Sequence, residues 1–286
     1  MESPNTESPN TESLFTRLLL ATECSDFDVG AQKMALALTQ RCQLPLTVIL
    51  PIISNPEFEA IAPQIAAKAD AEAAQKLTQL RRQAHEAHVT LEVVVRRGEE
   101  PYREIVEEAN AQACEMLIIR RRGKRGFLAN LLIGEMVTKV VAHAPCHVLI
   151  VPNESTVWKQ RILVALDSAE APQDSGQTLR TASRIALQCG LPLHIVSVVA
   201  VESLRISLQA RMDQWVMQAV AMGVVAQGEI CVGKTYPQIL LARETSHSDL
   251  IVLNSRSKHH ATRPILGSIA QKVIALSDFP VLVLHT

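Results

Sequence analysis

A run of basic side chains is the feature of this sequence that could most directly do chemistry. Residues 120–125 read Arg-Arg-Arg-Gly-Lys-Arg. Guanidinium groups suit phosphate and carboxylate, so the run predicts a site for a small anionic ligand or for an acidic protein partner. A solvated basic loop that balances nearby acids is an equally weighted alternative. The candidate cations are Arg120, Arg121, Arg122, Lys124 and Arg125.

Two acidic residues offer a second kind of chemistry. Glu23 and Asp167 each end a short apolar segment. A carboxylate in such a place could accept hydrogen bonds from a base or a ribose. Capping of a following helix would equally explain an acid there. On the residues alone, both roles stay open.

The composition is that of a globular protein without a global charge. The chain has 286 residues, with 28 Lys and Arg against 29 Asp and Glu, which gives a formal net charge of −1. This charge balance does not predict binding to nucleic acid, and the apolar runs are too short to predict a membrane span. The six cysteines show no zinc-type spacing, so no metal site is expected. We expect a cytoplasmic protein.

The sequences of the two halves of the chain can be aligned with each other, and this internal repeat decides the expected architecture. Five short apolar segments recur in the same order. The matching pairs are 16–23 with 160–167, 42–49 with 189–196, 91–95 with 228–232, 115–119 with 249–253, and 146–150 with 279–283.

Ala-rich stretches with helical spacing separate these segments, which is typical of βα units. The sequence therefore predicts an α/β fold of two tandem Rossmann-like domains, each a five-stranded parallel sheet with helices on both faces. Domain one would span residues 14–152 and domain two residues 161–286, with a linker at 153–160. The polar residues 1–13 are predicted to form a disordered tail. One sheet running unbroken through both halves would contradict this duplication.

Three motifs of the second half carry a resemblance to a known family. Residues 249–253 read Asp-Leu-Ile-Val-Leu, residues 265–270 Ile-Leu-Gly-Ser-Ile-Ala, and residues 280–284 Pro-Val-Leu-Val-Leu. With the acid after strand one, they resemble the universal stress protein family, its DLIVxG strand and its G-x2-G-x9-G-[S/T] loop. The resemblance implies strand order 3-2-1-4-5. It also implies pairing through the closing strands, which a tandem chain would make internally; a further homodimer stays open.

The resemblance implies that ATP-binding members hold adenine near the strand-one acid, and ribose and phosphates on the glycine loop. Carried over position by position, the site residues of the second copy are Asp167, Asn254, Ser257, Gly267 and Ser268. Those of the first copy are Glu23, Gly123 and Gly134.

Both copies depart from the loop pattern. Asn254 and Ser257 replace two glycines in the second copy, while Arg120 replaces one in the first. Glycine can adopt positive φ and lets a phosphate approach the backbone, so these side chains would obstruct it. Glu135 stands in place of Ser or Thr and would add a negative charge. We expect poor ATP binding in copy one and weak or absent binding in copy two, so ATP remains an open cofactor.

No motif for catalysis is evident, and three classes of function remain. The leading interpretation is a non-catalytic stress-response protein with two degenerate nucleotide-binding-type domains, which binds a small anionic ligand or a protein partner. An alternative is an ATP-binding, slowly hydrolysing switch that uses the second domain. The third is an interaction scaffold in which both pockets are vestigial.

Overall fold

Strands and helices mostly alternate in the computed structural model, which describes residues 15–54, 56–121, 134–255 and 265–285. The strands are β1 Leu18–Ala21, β2 Leu46–Ile53, β3 Leu91–Gly98, β4 Met116–Arg120, β5 His147–Val151, β6 Ile162–Ala165, β7 Leu193–Val199, β8 Ala226–Val232, β9 Leu250–Asn254 and β10 Val281–Leu284. The helices are α1 Val29–Cys42, α2 Pro56–Ile61, α3 Pro63–Glu86, α4 Pro101–Ala111, α5 Glu135–His143, α6 Pro172–Cys189, α7 Ser203–Ala221, α8 Thr235–Thr245 and α9 Ser268–Leu276. The tail at 1–13 lies outside the described residues.

The sheet confirms the predicted α/β class and strand order. Its order is β3-β2-β1-β4-β5-β10-β9-β6-β7-β8, which is 3-2-1-4-5 followed by the same order in reverse. Neighbouring strands are parallel within each half. Crossover helices force this direction, because a parallel neighbour can be reached only by returning across the sheet.

The ten strands form one continuous sheet, so continuity is the wrong criterion for judging the duplication. β5 pairs with β10 antiparallel, with Leu149 opposite Leu282. Each half has its own set of five parallel strands, and within the sheet the two halves meet only at this edge. Closing strands with unpaired edges favour such pairing, and the expected internal joining of the repeats through these strands is confirmed.

Helices cover both faces of the sheet, and each face has one apolar core that runs through both repeats. On one face α1, α3, α6 and α7 contribute, with Met34, Leu80 and Trp215 buried. On the other face α4, α5, α8 and α9 contribute, with Ile105 and Val273 buried. Strands covered on both sides explain the near-continuous apolar segments of the sequence. Within the described ranges, no helix has the length and apolar character that a bilayer crossing requires.

An acid just before the fourth strand anchors the chain entering each repeat. The backbone N–H of Thr16 donates to Oε2 of Glu115 at 2.5 Å. In the second repeat the backbone N–H groups of Lys159 and Gln160 donate to Asp249 at 2.6 and 3.0 Å. The same anchor in both halves is further support for duplication.

The end of the predicted linker at 153–160 makes contacts with the second repeat. Trp158 is buried, and its Nε1 donates to Sγ of Cys189 at 3.3 Å. Lys159 and Gln160 are held by Asp249 as described above. The last residues of this segment therefore pack on the second repeat, because burial of an indole outweighs its polar surroundings in the sequence.

His147, the first residue of β5, helps to join the two repeats. Its Nδ1 accepts a hydrogen bond from the backbone N–H of His285 at 3.1 Å. Phe15 meets its ring edge-on, with centroids 6.0 Å apart. Burial lowers the pKa of His147, while attraction by the Glu115 carboxylate opposes that shift. Protonation in the folded state would also add a proton where Nδ1 accepts the His285 N–H.

We expect the free energy of unfolding to fall as the pH drops below about 6.5. The unfolded chain binds a proton at His147 there, whereas the folded chain resists it. Urea unfolding at pH values about one unit above and below that point measures this loss, which should be smaller in His147→Gln. A His85→Gln control at an exposed position of α3 should show the full loss. Equal losses in the wild type and His147→Gln would contradict the assignment.

Candidate functional site

The strand order places a crevice in each repeat at the carboxyl ends of its first and fourth strands. β1 pairs with β4 and β6 pairs with β9. Open parallel sheets bind ligands at such a point, where the strand order reverses. Both predicted acids lie there, because Glu23 follows β1 and Asp167 follows β6.

The second repeat has an open cavity of about 340 Å³ in this crevice. Small-molecule sites span roughly 300–1,000 Å³, so this volume suits a small ligand. Asp167, Asn254, Gly267 and Ser268 all line it, and the structure thus brings these four predicted residues together. The other lining residues are Ala165, Leu166, Glu170, Val196, Val198, Thr235, Ile239, Leu253, Ile269 and Ala270.

Carboxylates and apolar side chains share the lining of this cavity. Val196 and Val198 of β7 and Ile239 of α8 form apolar walls. Asp167 is oriented by the backbone N–H of Ala169, which donates to Oδ1 at 2.9 Å. The turn therefore holds the Asp167 carboxylate, a hydrogen-bond acceptor, at the wall of the cavity.

Glu170 is a lining residue that sequence analysis missed. Its backbone N–H donates to the carbonyl oxygen of Asp167 at 3.1 Å, so the turn brings both side chains to one side. The only signal in the sequence is an acid three residues after the first, which by itself indicates little.

Helix α9 begins at the cavity, and Gly267 is its N-cap. Gly267 has φ −59° and ψ 142°, so positive φ is not the reason for glycine at this position. Its N–H donates to the carbonyl oxygen of Ser255 at 3.4 Å, which closes the base of the loop. The first-turn N–H groups of a helix lack partners within the helix. Those of Ser268 and Ile269 can therefore bind an acceptor in the cavity.

In the first repeat, the side chain of Arg120 contacts the acid that follows strand one. Its Nη2 lies 2.7 Å from Oε2 of Glu23, and its Nε lies 2.9 Å from Oδ1 of Asp28. Nη1 donates to Oγ of Ser25 at 3.3 Å, and the Phe27 ring centroid lies 5.8 Å from the guanidinium carbon. Only 7% of the Arg120 side chain is exposed. Glu23 therefore pairs with a cation of the protein itself.

The fourth strands of the two repeats end in different residues. Arg120 ends β4 opposite Val151 of β5, and Asn254 ends β9 opposite Leu284 of β10. The two residues thus hold the same place at the end of the fourth strand. The same position thus has a long, buried cation in the first repeat and a short amide at the cavity wall in the second.

Asp28 is the buried partner that sequence analysis missed in the first repeat. Its side chain is 1% exposed. Its Oδ2 accepts hydrogen bonds from the backbone N–H of Glu23 at 3.1 Å and from the N–H and Oγ of Ser25 at 2.8 and 2.9 Å. Two features of the sequence could have indicated this pair. They are the cation at the end of β4 and a second acid after β1.

Glu135 stands at the start of a helix and pairs with a cation of the same helix. It begins α5 after Gly134, whose φ −59° and ψ 142° equal those of Gly267. However, its side chain is 81% exposed and pairs with Nζ of Lys139 at 2.9 Å. Lys139 also contacts Glu100 at 3.3 Å. The Glu135 carboxylate is thus exposed to solvent beside the Lys139 ammonium.

The basic run is divided between different partners. Whereas Arg120 turns inward, Arg121 crosses to the second repeat and donates to the backbone carbonyl oxygens of Ala275, at 3.2 Å, and of Ser277. A cation suits these carbonyls because they lie at the C-terminal end of α9. The two described arginines therefore bind protein groups. The predicted residues Arg122, Gly123, Lys124, Arg125 and Ser257 lie outside the described residues.

Comparisons with known proteins agree with the repeated fold. The model of the universal stress protein family matches residues 14–152 and again residues 159–285. A universal stress protein of Mycobacterium tuberculosis H37Rv is 24% identical over 198 residues, covering 63% of this chain and 66% of that protein. The match thus spans slightly less than two thirds of the length of that relative.

Two solved structures resemble this chain over nearly its whole length. A universal stress protein from Archaeoglobus fulgidus has a TM-score of 0.76 at 21% identity, covering 94% of this chain and 96% of that one. A functionally unknown protein from Pseudomonas aeruginosa PAO1 has a TM-score of 0.70 at 18% identity, with 95% and 92% covered. At these identities the structures support the fold alone. Since the family model matches both halves, the chain belongs to the universal stress protein family, as a tandem pair of its domains.

Proposed function

We propose that this protein is a non-catalytic stress-response module that binds a nucleoside or nucleotide reversibly, at one site in the second repeat. The main support is the contrast between matched positions. Asn254 borders an open cavity, whereas Arg120 at the matching position is buried against Glu23. The first repeat would then complete the sheet without holding a ligand.

The lining of the cavity favours a nucleoside. Val196, Val198 and Ile239 offer apolar walls for a flat base. Asp167 and Glu170 offer carboxylate oxygens, which accept hydrogen bonds from ribose hydroxyls or an exocyclic amine. The N-terminus of α9 suits a phosphate attached to that nucleoside.

Thermal unfolding with adenosine, AMP and ATP, each with and without magnesium, tests this proposal. A ligand at about 100 times its Kd stabilises by about 2.7 kcal/mol, which raises Tm by roughly 5–10 °C. Ribose 5-phosphate, which lacks the base, is the control and should have a smaller effect. Native mass spectrometry should find one ligand per chain. A Tm unchanged by adenosine, AMP and ATP would contradict the proposal and favour the scaffold alternative, whereas two ligands per chain would contradict a single site in the second repeat.

A further inference from the structure

The loop that carries the two cavity carboxylates is held from outside the cavity. Asp167 and Glu170 belong to the connection between β6 and α6. Within this connection, backbone N–H groups of Ala169 and Glu170 donate to Asp167. These local contacts shape the turn but do not tie it to the rest of the repeat.

Arg211 of α7 connects this loop to another helix of the repeat. Its Nη1 donates to the carbonyl oxygen of Ser168 at 2.5 Å, and its Nη2 to that of Glu170 at 3.2 Å. Nη2 also donates to Oγ of Ser175 at 3.1 Å, in the first turn of α6. One guanidinium thus contacts the loop on both sides of Ala169 and the helix that follows it.

The guanidinium of Arg211 packs against a buried aromatic ring. Its carbon lies 5.0 Å from the ring centroid of Trp215, one turn further along α7. Trp215 is buried in the core of that face, and Ser175 is buried as well. The planar guanidinium presents its donors from separate nitrogens in a rigid fork, whereas the three donors of a lysine ammonium all radiate from one nitrogen.

We infer that Arg211 is a positioning residue for the ligand site, which sets where the carboxylates of Asp167 and Glu170 stand at the cavity. It acts through the backbone of the loop, and it is not among the residues that line the cavity. The inference rests on the proposed function for its effect on affinity. The ordering of the loop is a property of the free protein. In the first repeat the matching acid Glu23 is held differently, by Arg120.

The test compares Arg211→Gln, Arg211→Lys and the matched control Arg205→Gln. Arg205 lies on the same helix and pairs with Glu202 at 3.3 Å. We expect Arg211→Gln to weaken binding of AMP about tenfold, the equivalent of one or two hydrogen bonds, in isothermal titration. Arg211→Lys should recover part of that loss, and Arg205→Gln should bind as the wild type does.

Hydrogen exchange in the ligand-free protein separates this inference from the proposed function. The amides of residues 168–171 should exchange faster in Arg211→Gln than in Arg205→Gln. Unchanged exchange of these amides would overturn the positioning role, whatever happens to binding. If the wild type failed to bind any nucleoside while exchange rose as expected, the proposed function alone would fail. Should Arg211→Gln not fold, Ser175→Ala removes one contact and should raise exchange to a lesser extent.

Discussion

Asn254→Arg is expected to close the cavity of the second repeat and to weaken binding of AMP or adenosine on the order of a hundredfold. The change gives the second repeat the residue that the first has at the same place. In the first repeat this arginine reaches Glu23 at 2.7 Å. At position 254 it would face Asp167, the matching acid, across the cavity. A ligand would then have to displace an ion pair before it could enter.

Isothermal titration of the variant measures this loss, and Asn254→Ala is the matched control. Alanine removes the same amide but leaves the cavity open, so the control should lose less than about tenfold. The denaturation midpoint of the ligand-free variant shows whether the repeat stays folded. If Asn254→Arg bound AMP as tightly as the wild type, the ligand would have to lie elsewhere in the protein.

The second large effect concerns the stability of the first repeat. We expect Arg120→Met to lower the free energy of unfolding by about 3–5 kcal/mol, because it leaves the Asp28 carboxylate buried without its cation. Methionine keeps much of the volume, so the loss reports on charge more than on packing. Urea unfolding measures it, and the double variant with Asp28→Asn should recover part of the loss.

Glu23 provides an internal control for that experiment. It contacts the same guanidinium at 2.7 Å, yet its side chain is 39% exposed, against 1% for Asp28. Glu23→Gln should therefore lower the free energy of unfolding by no more than about 1 kcal/mol, as exposed pairs do. Equal losses for Glu23→Gln and Arg120→Met would contradict the view that burial of Asp28 sets the stability of this cluster.

The fold could be predicted closely from the sequence, because apolar patterning and the internal repeat are local signals. All ten strands lie within or next to the segments that were matched between the halves, and the order 3-2-1-4-5 follows from the family resemblance. The positions of Asp167, Gly267 and Ser268 at one cavity also follow, because the ends of parallel strands meet at one edge.

The basic run shows where sequence reasoning fails. Arg120 and Arg121 are neighbours in sequence and looked like one cluster. At the end of a strand, successive side chains point to opposite faces of the sheet. Arg120 therefore enters the crevice of its own repeat, while Arg121 reaches the C-terminal end of α9 in the other. The pairing partner Asp28 could not be singled out among the many acids of the chain.

The sequence by itself determined that one βα unit occurs twice and where the ends of its strands lie, because both depend on periodicity along the chain. Only the tertiary structure decided that Arg120 is buried against Glu23 and Asp28 while Asn254 borders a cavity. That difference depends on where a long side chain such as Arg120 can bury its charge, and its partners come from residues 95 and 97 positions away. The same reason explains Arg211, whose contact with the acidic loop appears only after α7 packs against α6.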